Sequence, residues 1–127
     1  MLPMDELKIE RSAGSASDVT ILILNGPVTI ATLFDLQTAV RHPDMKHTII
    51  DFAGVPYMDS AGLGIVLSHW AHTQRTGTMF AIVAMSERVG VLLEMTGVAK
   101  LLPFYATAAD AERAFSSVTS SSSRASH

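Results

Sequence analysis

The 127-residue chain has no cysteine. A disulfide framework and a thiolate metal site are therefore excluded, and the composition suits a reducing compartment. Basic residues are few as well. Nine Lys and Arg against twelve Asp and Glu leave a formal net charge of −3, with no basic run. Nucleic acid is not expected as a direct partner, because phosphate binding depends on clustered Lys and Arg. No apolar run approaches the ~20 residues that span a bilayer, so membrane insertion is not expected either. The opening MLPMDELKIE lacks a basic region followed by an apolar core. No signal peptide is expected, and a cytoplasmic location is the simplest expectation.

Apolar residues make up 48% of the chain, enough for one domain to close around a single core. Leu7 to Arg11 reads as a first strand, ended by the small polar run Ser12 to Ser17. Val19 to Leu24 is a second strand, apolar enough to be covered on both faces. The short loop between them predicts an antiparallel hairpin. Asn25-Gly26-Pro27 stops the second strand, and Thr29 is expected to cap a helix whose inner face carries Ile30, Leu33, Leu36, Gln37 and Val40 before Pro43.

The organising stretch is HTIIDFAGVPYMDSAGLG, from His47 to Gly64. Thr48 to Phe52 reads as a buried strand, broken by Gly54, Val55 and Pro56. A helix starts near Ser60. Leu63, Val66, Leu67, Trp70 and Ala71 form its apolar stripe, and Ser68, His69, His72, Arg75 and Thr76 its opposite face. Asp59-Ser60 thus stands where a strand hands over to a helix, beside backbone N–H groups that the helix leaves free. A serine there either caps the helix or receives a phosphate.

Gly77 ends this helix in a left-handed cap. Met79 to Ala84 reads as an interior strand, Ser86 as the cap of a helix through Val89, Leu92 and Leu93 that Gly97 ends, and Leu101 to Tyr105 as a last strand. Thr107 with Asp110 resembles a capping box opening a helix through Ala111, Ala114 and Phe115. The order β-β-α-β-α-β-α-β-α predicts an α/β fold with a mixed, mostly parallel sheet of four to five strands and about four helices. Residues 1–117 form the expected domain. Residues 118–127 are serine-rich and are expected to be a disordered tail. Met79, Met85 and Met95 are expected to fill the core.

Asp51-Phe52-Ala53-Gly54-Val55, followed by Met58-Asp59-Ser60-Ala61-Gly62-Leu63-Gly64, resembles the signature of STAS domains, the anti-sigma factor antagonist family. Gly26, Gly77, Thr96-Gly97-Val98 and the Ala-rich last helix also fall where that family has them, so the resemblance covers roughly residues 5 to 117. It implies a bacterial regulator of transcription working by partner switching. The serine matching Ser60 is phosphorylated by a cognate anti-sigma factor that is itself a serine kinase. The unphosphorylated form binds that anti-sigma factor and frees the sigma factor, and a phosphatase resets the switch. Tyr57, Met58, Asp59, Ala61, Gly62, Gly64, Gly26 and Thr29 are the expected partner-binding residues around Ser60. The small ones would let another backbone approach closely, and Tyr57 and Met58 would supply aromatic and apolar contacts. The family's Gly-Glu-Leu-Asp loop reads Gly26-Pro27-Val28-Thr29 here, without either carboxylate. That departure keeps a second reading open: a STAS accessory subunit of a transporter ATPase or stress-sensing assembly, not phosphorylated.

Enzymatic readings are weaker. A nucleophile elbow needs Gly two residues before the serine, where this chain has Met58, and a histidine brought close by a later loop. His69 and His72 are at i and i+3 without an evident third ligand, so no metal is expected. Gly62 and Gly64 are not followed by the Lys and Ser/Thr of a P-loop, so no nucleotide or other cofactor is expected. Asp51, inside a strand, is expected to be structural.

Overall fold

The computed structural model describes residues 6–16, 18–42 and 45–125. Within them the chain forms five strands and four α-helices: β1 (Lys8–Ala13), β2 (Val19–Asn25), α1 (Leu33–Val40), β3 (His47–Gly54), α2 (Ser60–Thr76), β4 (Phe80–Val83), α3 (Glu87–Met95), β5 (Phe104–Tyr105) and α4 (Ala108–Ala125). The sheet order is β1-β2-β3-β4-β5. β1 pairs antiparallel with β2, and the remaining neighbours are parallel. This is the mixed, mostly parallel α/β sheet expected from the element order.

Alternate side chains of a strand point to opposite faces, and that parity divides the core in two. Leu22, Leu24, Ile50, Phe52, Phe80 and Ile82 meet Leu36 and Val40 of α1, Leu63 and Val66 of α2, and Val89 and Leu93 of α3. Val19, Ile49, Ala81 and Val83 meet Ala111 and Phe115 of α4. Parallel strands that always step in the same direction through right-handed crossovers place their connecting helices on one face. The last helix covers the other. Burial from both sides is why β2, β3 and β4 carry near-continuous apolar runs.

Several boundaries differ from expectation. Helix α1 starts at Leu33, and Thr29 is not its cap. The Thr29 hydroxyl accepts the Ala31 N–H at 3.2 Å, while the Thr32 hydroxyl accepts the Thr29 N–H at 3.0 Å and donates to the Pro27 carbonyl at 2.9 Å. These short-range bonds offer the backbone an alternative to a helical turn. Ile30 is therefore 70% exposed and not on an inner face. After α3, Gly97 takes φ 79° and Val98–Lys100 form a 3-10 turn, which leaves only Phe104–Tyr105 to pair with β4. Met95 is exposed, outside the core.

Helix α2 spans Ser60–Thr76 and ends at Gly77 with φ 72°, as its sequence signals indicate. Its buried stripe, however, is Gly62, Leu63, Val66, His69 and Thr73. His69, expected on the solvent face, is 6% exposed. Its Nε2 lies 3.2 Å from the Thr48 hydroxyl, and its ring meets Phe80 edge-on at 5.3 Å. A polar side chain can sit on the inner face when a buried hydroxyl pairs with it. Helix α4 opens on the Thr107 hydroxyl, which accepts the Asp110 N–H at 3.1 Å. It continues to Ala125, through the serine-rich stretch read as a tail. Extension adds a hydrogen bond for each residue once a helix exists, and serine opposes that only mildly. Residues 126–127 of that stretch lie outside the described residues.

Candidate functional site

The connections leaving β2 and β3 at their carboxyl ends run side by side. Val28 and Met58 form an isolated parallel bridge, in which the Val28 N–H donates to the Tyr57 carbonyl at 3.2 Å and the Asp59 N–H to the Val28 carbonyl at 3.1 Å. Gly26 makes the exit from β2 possible. It adopts φ 126°, and a β-carbon there would stand 2.1 Å from the Glu6 carbonyl oxygen, a place only glycine fills without strain. Gly62 meets this chain's own turn, since a β-carbon on it would stand 2.2 Å from the Val28 carbonyl oxygen. The close backbone approach expected at Gly62 is thus intramolecular. Gly64 is different: it is exposed, and a β-carbon on it would meet nothing within 4 Å.

Asp59 is the N-cap of α2. Its Oδ1 accepts the Gly62 N–H at 2.9 Å, the usual way an aspartate satisfies a free donor of a first turn. Its Oδ2 accepts the Ile30 N–H at 3.1 Å, so one carboxylate ties the β2–α1 turn to the tip of α2. Ser60 is then the first helical residue, exposed, with the cap already made by its neighbour. The capping role open to Ser60 in the sequence is taken by Asp59.

The other expected residues divide between surface and interior. Tyr57 is 38% exposed, with the Arg88 guanidinium 5.5 Å from its ring centre. Ala61 and Thr29 are half-buried. Met58, expected as an outward contact, is 7% exposed and belongs to the core, because the bridge to Val28 turns it inward while Tyr57 points out. Sequence reasoning missed three residues. Ile30 and Phe34, the latter 74% exposed, flank the turn held by Asp59, and Arg88 reaches Tyr57 from α3. Only the delayed start of α1, set by Thr29 and Thr32, brings Ile30 to the surface, and no pattern in the sequence signals that delay. His69 and His72 lie about 13 and 18 Å from Ser60 at the ordinary helical rise, so neither acts on its hydroxyl. Among the described residues no group of three metal-ligating side chains occurs, and no helix is long and apolar enough to cross a membrane.

The STAS domain family model matches residues 10–111. The chain belongs to the STAS domain family. This STAS domain is 27% identical over 70 residues to the anti-sigma F factor antagonist of Paenibacillus polymyxa, a match covering 55% of this chain and 60% of that relative. Among solved structures it resembles an anti-sigma factor antagonist from Mycobacterium paratuberculosis, with a TM-score of 0.77 at 23% identity, covering 89% of this chain and 96% of the other. It also resembles the Bacillus cell fate determinant SpoIIAA in its phosphorylated form, with a TM-score of 0.63 at 14% identity, covering 84% and 99%. At these identities the solved structures establish the fold.

Proposed function

We propose that this STAS domain is a cytoplasmic anti-sigma factor antagonist, a binding protein and not an enzyme, switched at Ser60. Unphosphorylated, it holds a cognate anti-sigma factor that is also a serine kinase; phosphorylated on Ser60, it lets that partner go, and a phosphatase restores it. The observation that carries this reading is the exposed Ser60 at the head of α2, released from capping by Asp59. Relatives named as anti-sigma factor antagonists and a neighbour solved in a phosphorylated form support it.

The physical consequences follow from the position. A phosphate on Ser60 stands at the positive end of a helix dipole, which favours it by about 0.3–1 kcal/mol. It adds about −1.5 to −2 charges beside the Asp59 carboxylate. Like-charge crowding at an interface costs several kcal/mol, enough to expel a partner while the fold stays as it is. Tyr57, Ile30 and Phe34 border the same tip and give the partner an apolar anchor that bulk charge does not.

Incubation with the cognate kinase and ATP labels Ser60 alone within the folded domain, and Ser60→Ala is not labelled. Ser60→Asp fails to recover the anti-sigma factor from a lysate, whereas Ser60→Ala retains it. Labelling of Ser60→Ala to the parent's level overturns the assignment. The carboxylate-free turn Gly26-Pro27-Val28-Thr29 favours the second reading, an unmodified accessory subunit of a transporter ATPase or stress-sensing assembly. Recovery of an ATPase in place of a kinase, insensitive to Ser60→Asp, identifies that case.

A further inference from the structure

At the far end of α2, away from Ser60, a cleft of about 490 Å³ opens between the carboxyl-terminal halves of α1 and α2. Its walls carry Arg41, Lys46, His72 and Arg75, and Val40 and Ile65 lie among its apolar lining. Among the described residues no carboxylate lines it. In a chain with a net charge of −3, a concave surface whose described charged residues are all cations is a departure from the molecule's average. Asp44, in the loop between Arg41 and Lys46, lies outside the described residues.

The simplest use of such cations is to offset helix dipoles, since α1 and α2 both end here. Two helix carboxyl ends carry together about −1 charge. Arg41, Lys46 and Arg75 supply three full positive charges, so among the described residues about two remain after that role is filled. The volume is in the range of small-molecule sites, which combine an apolar lining with a few fixed polar groups. The planar arginine guanidinium binds carboxylate or phosphate oxygens through two parallel hydrogen bonds, and lysine adds a compact point charge. His72 stands beside the buried His69, their rings 6.3 Å apart and inclined by 27°, which gives a flat-sided wall against which a ring can lie.

The geometry points to a binding site for a small organic oxyanion, a phosphomonoester or carboxylate with an apolar body, in the cleft between α1 and α2. The head group meets Arg41, Arg75 and Lys46, and the body covers Val40 and Ile65. At the ordinary helical rise Arg75 is about 22 Å along α2 from Ser60 and Ile65 about 7 Å. The head-group contacts use none of the residues around Ser60, so the site stands or falls independently of the phosphorylation reading.

Phenyl phosphate and benzoate, titrated separately into the ¹⁵N-labelled full chain, test it. Saturable amide shifts confined to residues 37–46 and 65–78 with either probe support the site, and the tighter of the two identifies the head group. Inorganic phosphate should bind at least tenfold more weakly than phenyl phosphate, and benzyl alcohol should cause no saturable shift. The R41Q/R75Q double variant should lose at least tenfold in affinity while its circular dichroism spectrum shows the fold retained, and S60A should bind like the parent. Binding by the double variant as tight as the parent's overturns the proposal. So do shifts spread over all basic surface residues, inorganic phosphate binding as tightly as phenyl phosphate, or no saturable shift with either probe.

Discussion

Gly62 and Gly64 are two residues apart on one helix and answer to different constraints. Gly62 is packed against the Val28 backbone, which cannot move without opening the turn, whereas Gly64 faces open space. Gly62→Ala should cost about 1–3 kcal/mol, the range for overpacking a filled interior. Gly64→Ala should stabilise the domain by up to about 1 kcal/mol through helix propensity. Urea unfolding distinguishes the two by the sign of the midpoint shift. If the partner's backbone comes close at Gly64, Gly64→Ala also weakens its binding while raising stability, an opposition that packing alone does not produce. At this scale the sequence marked positions but not directions. Ser60 and Tyr57 are exposed as their motif suggested. Met58 turns inward because its parity is set by Val28, thirty residues away in the chain, and no local pattern contains that pairing.

Helix α2 links the two ends of the molecule, and its middle holds a titratable group. Burial, and next the neighbouring His72, lower the His69 imidazole from 6.5 to about 4. The unfolded chain therefore binds the proton more readily than the folded one between those values. Stability that is fully present above pH 6.5 falls as the pH is lowered to 4, by about 3 kcal/mol from this residue. His69→Gln keeps a hydrogen-bonding side chain beside Thr48 and lacks that acid-sensitive contribution. Urea unfolding at pH 7 and at pH 4.5 should show a loss on acidification about 2 kcal/mol smaller for the variant. Element type and order were readable because apolar periodicity and caps at Asp59-Ser60, Ser86 and Thr107 agree with one another. The start of α1 was not, since the Thr29 and Thr32 hydroxyls redirect the backbone through bonds that a periodicity argument does not register. The inner face of α2 was misread at His69 because a histidine looks polar until a buried Thr48 is known to face it.

For the whole molecule, the layering follows from strand parity and one-handed crossovers, both of which a sequence pattern carries. The domain boundary proposed near residue 117 rests on the inner face of α4, where Ala111 and Phe115 complete the second core. Deleting residues 118–127 should leave the melting temperature within about 2 °C of the parent, less than a loss of 1 kcal/mol would produce in a domain of this size. Phe115→Ala should cost about 3–5 kcal/mol, as removal of a buried aromatic does. The tip itself is held by the bridge between Val28 and Met58, by the fit of Gly62 beneath the Val28 carbonyl, and by the two bonds of Asp59. A platform clamped in this way has little loop freedom left to surrender when something docks on it, so association there is spared much of the usual ordering entropy. Under the proposed switch, the tempo of the platform is set by encounter and by covalent turnover at Ser60, with no slow rearrangement interposed between signal and release.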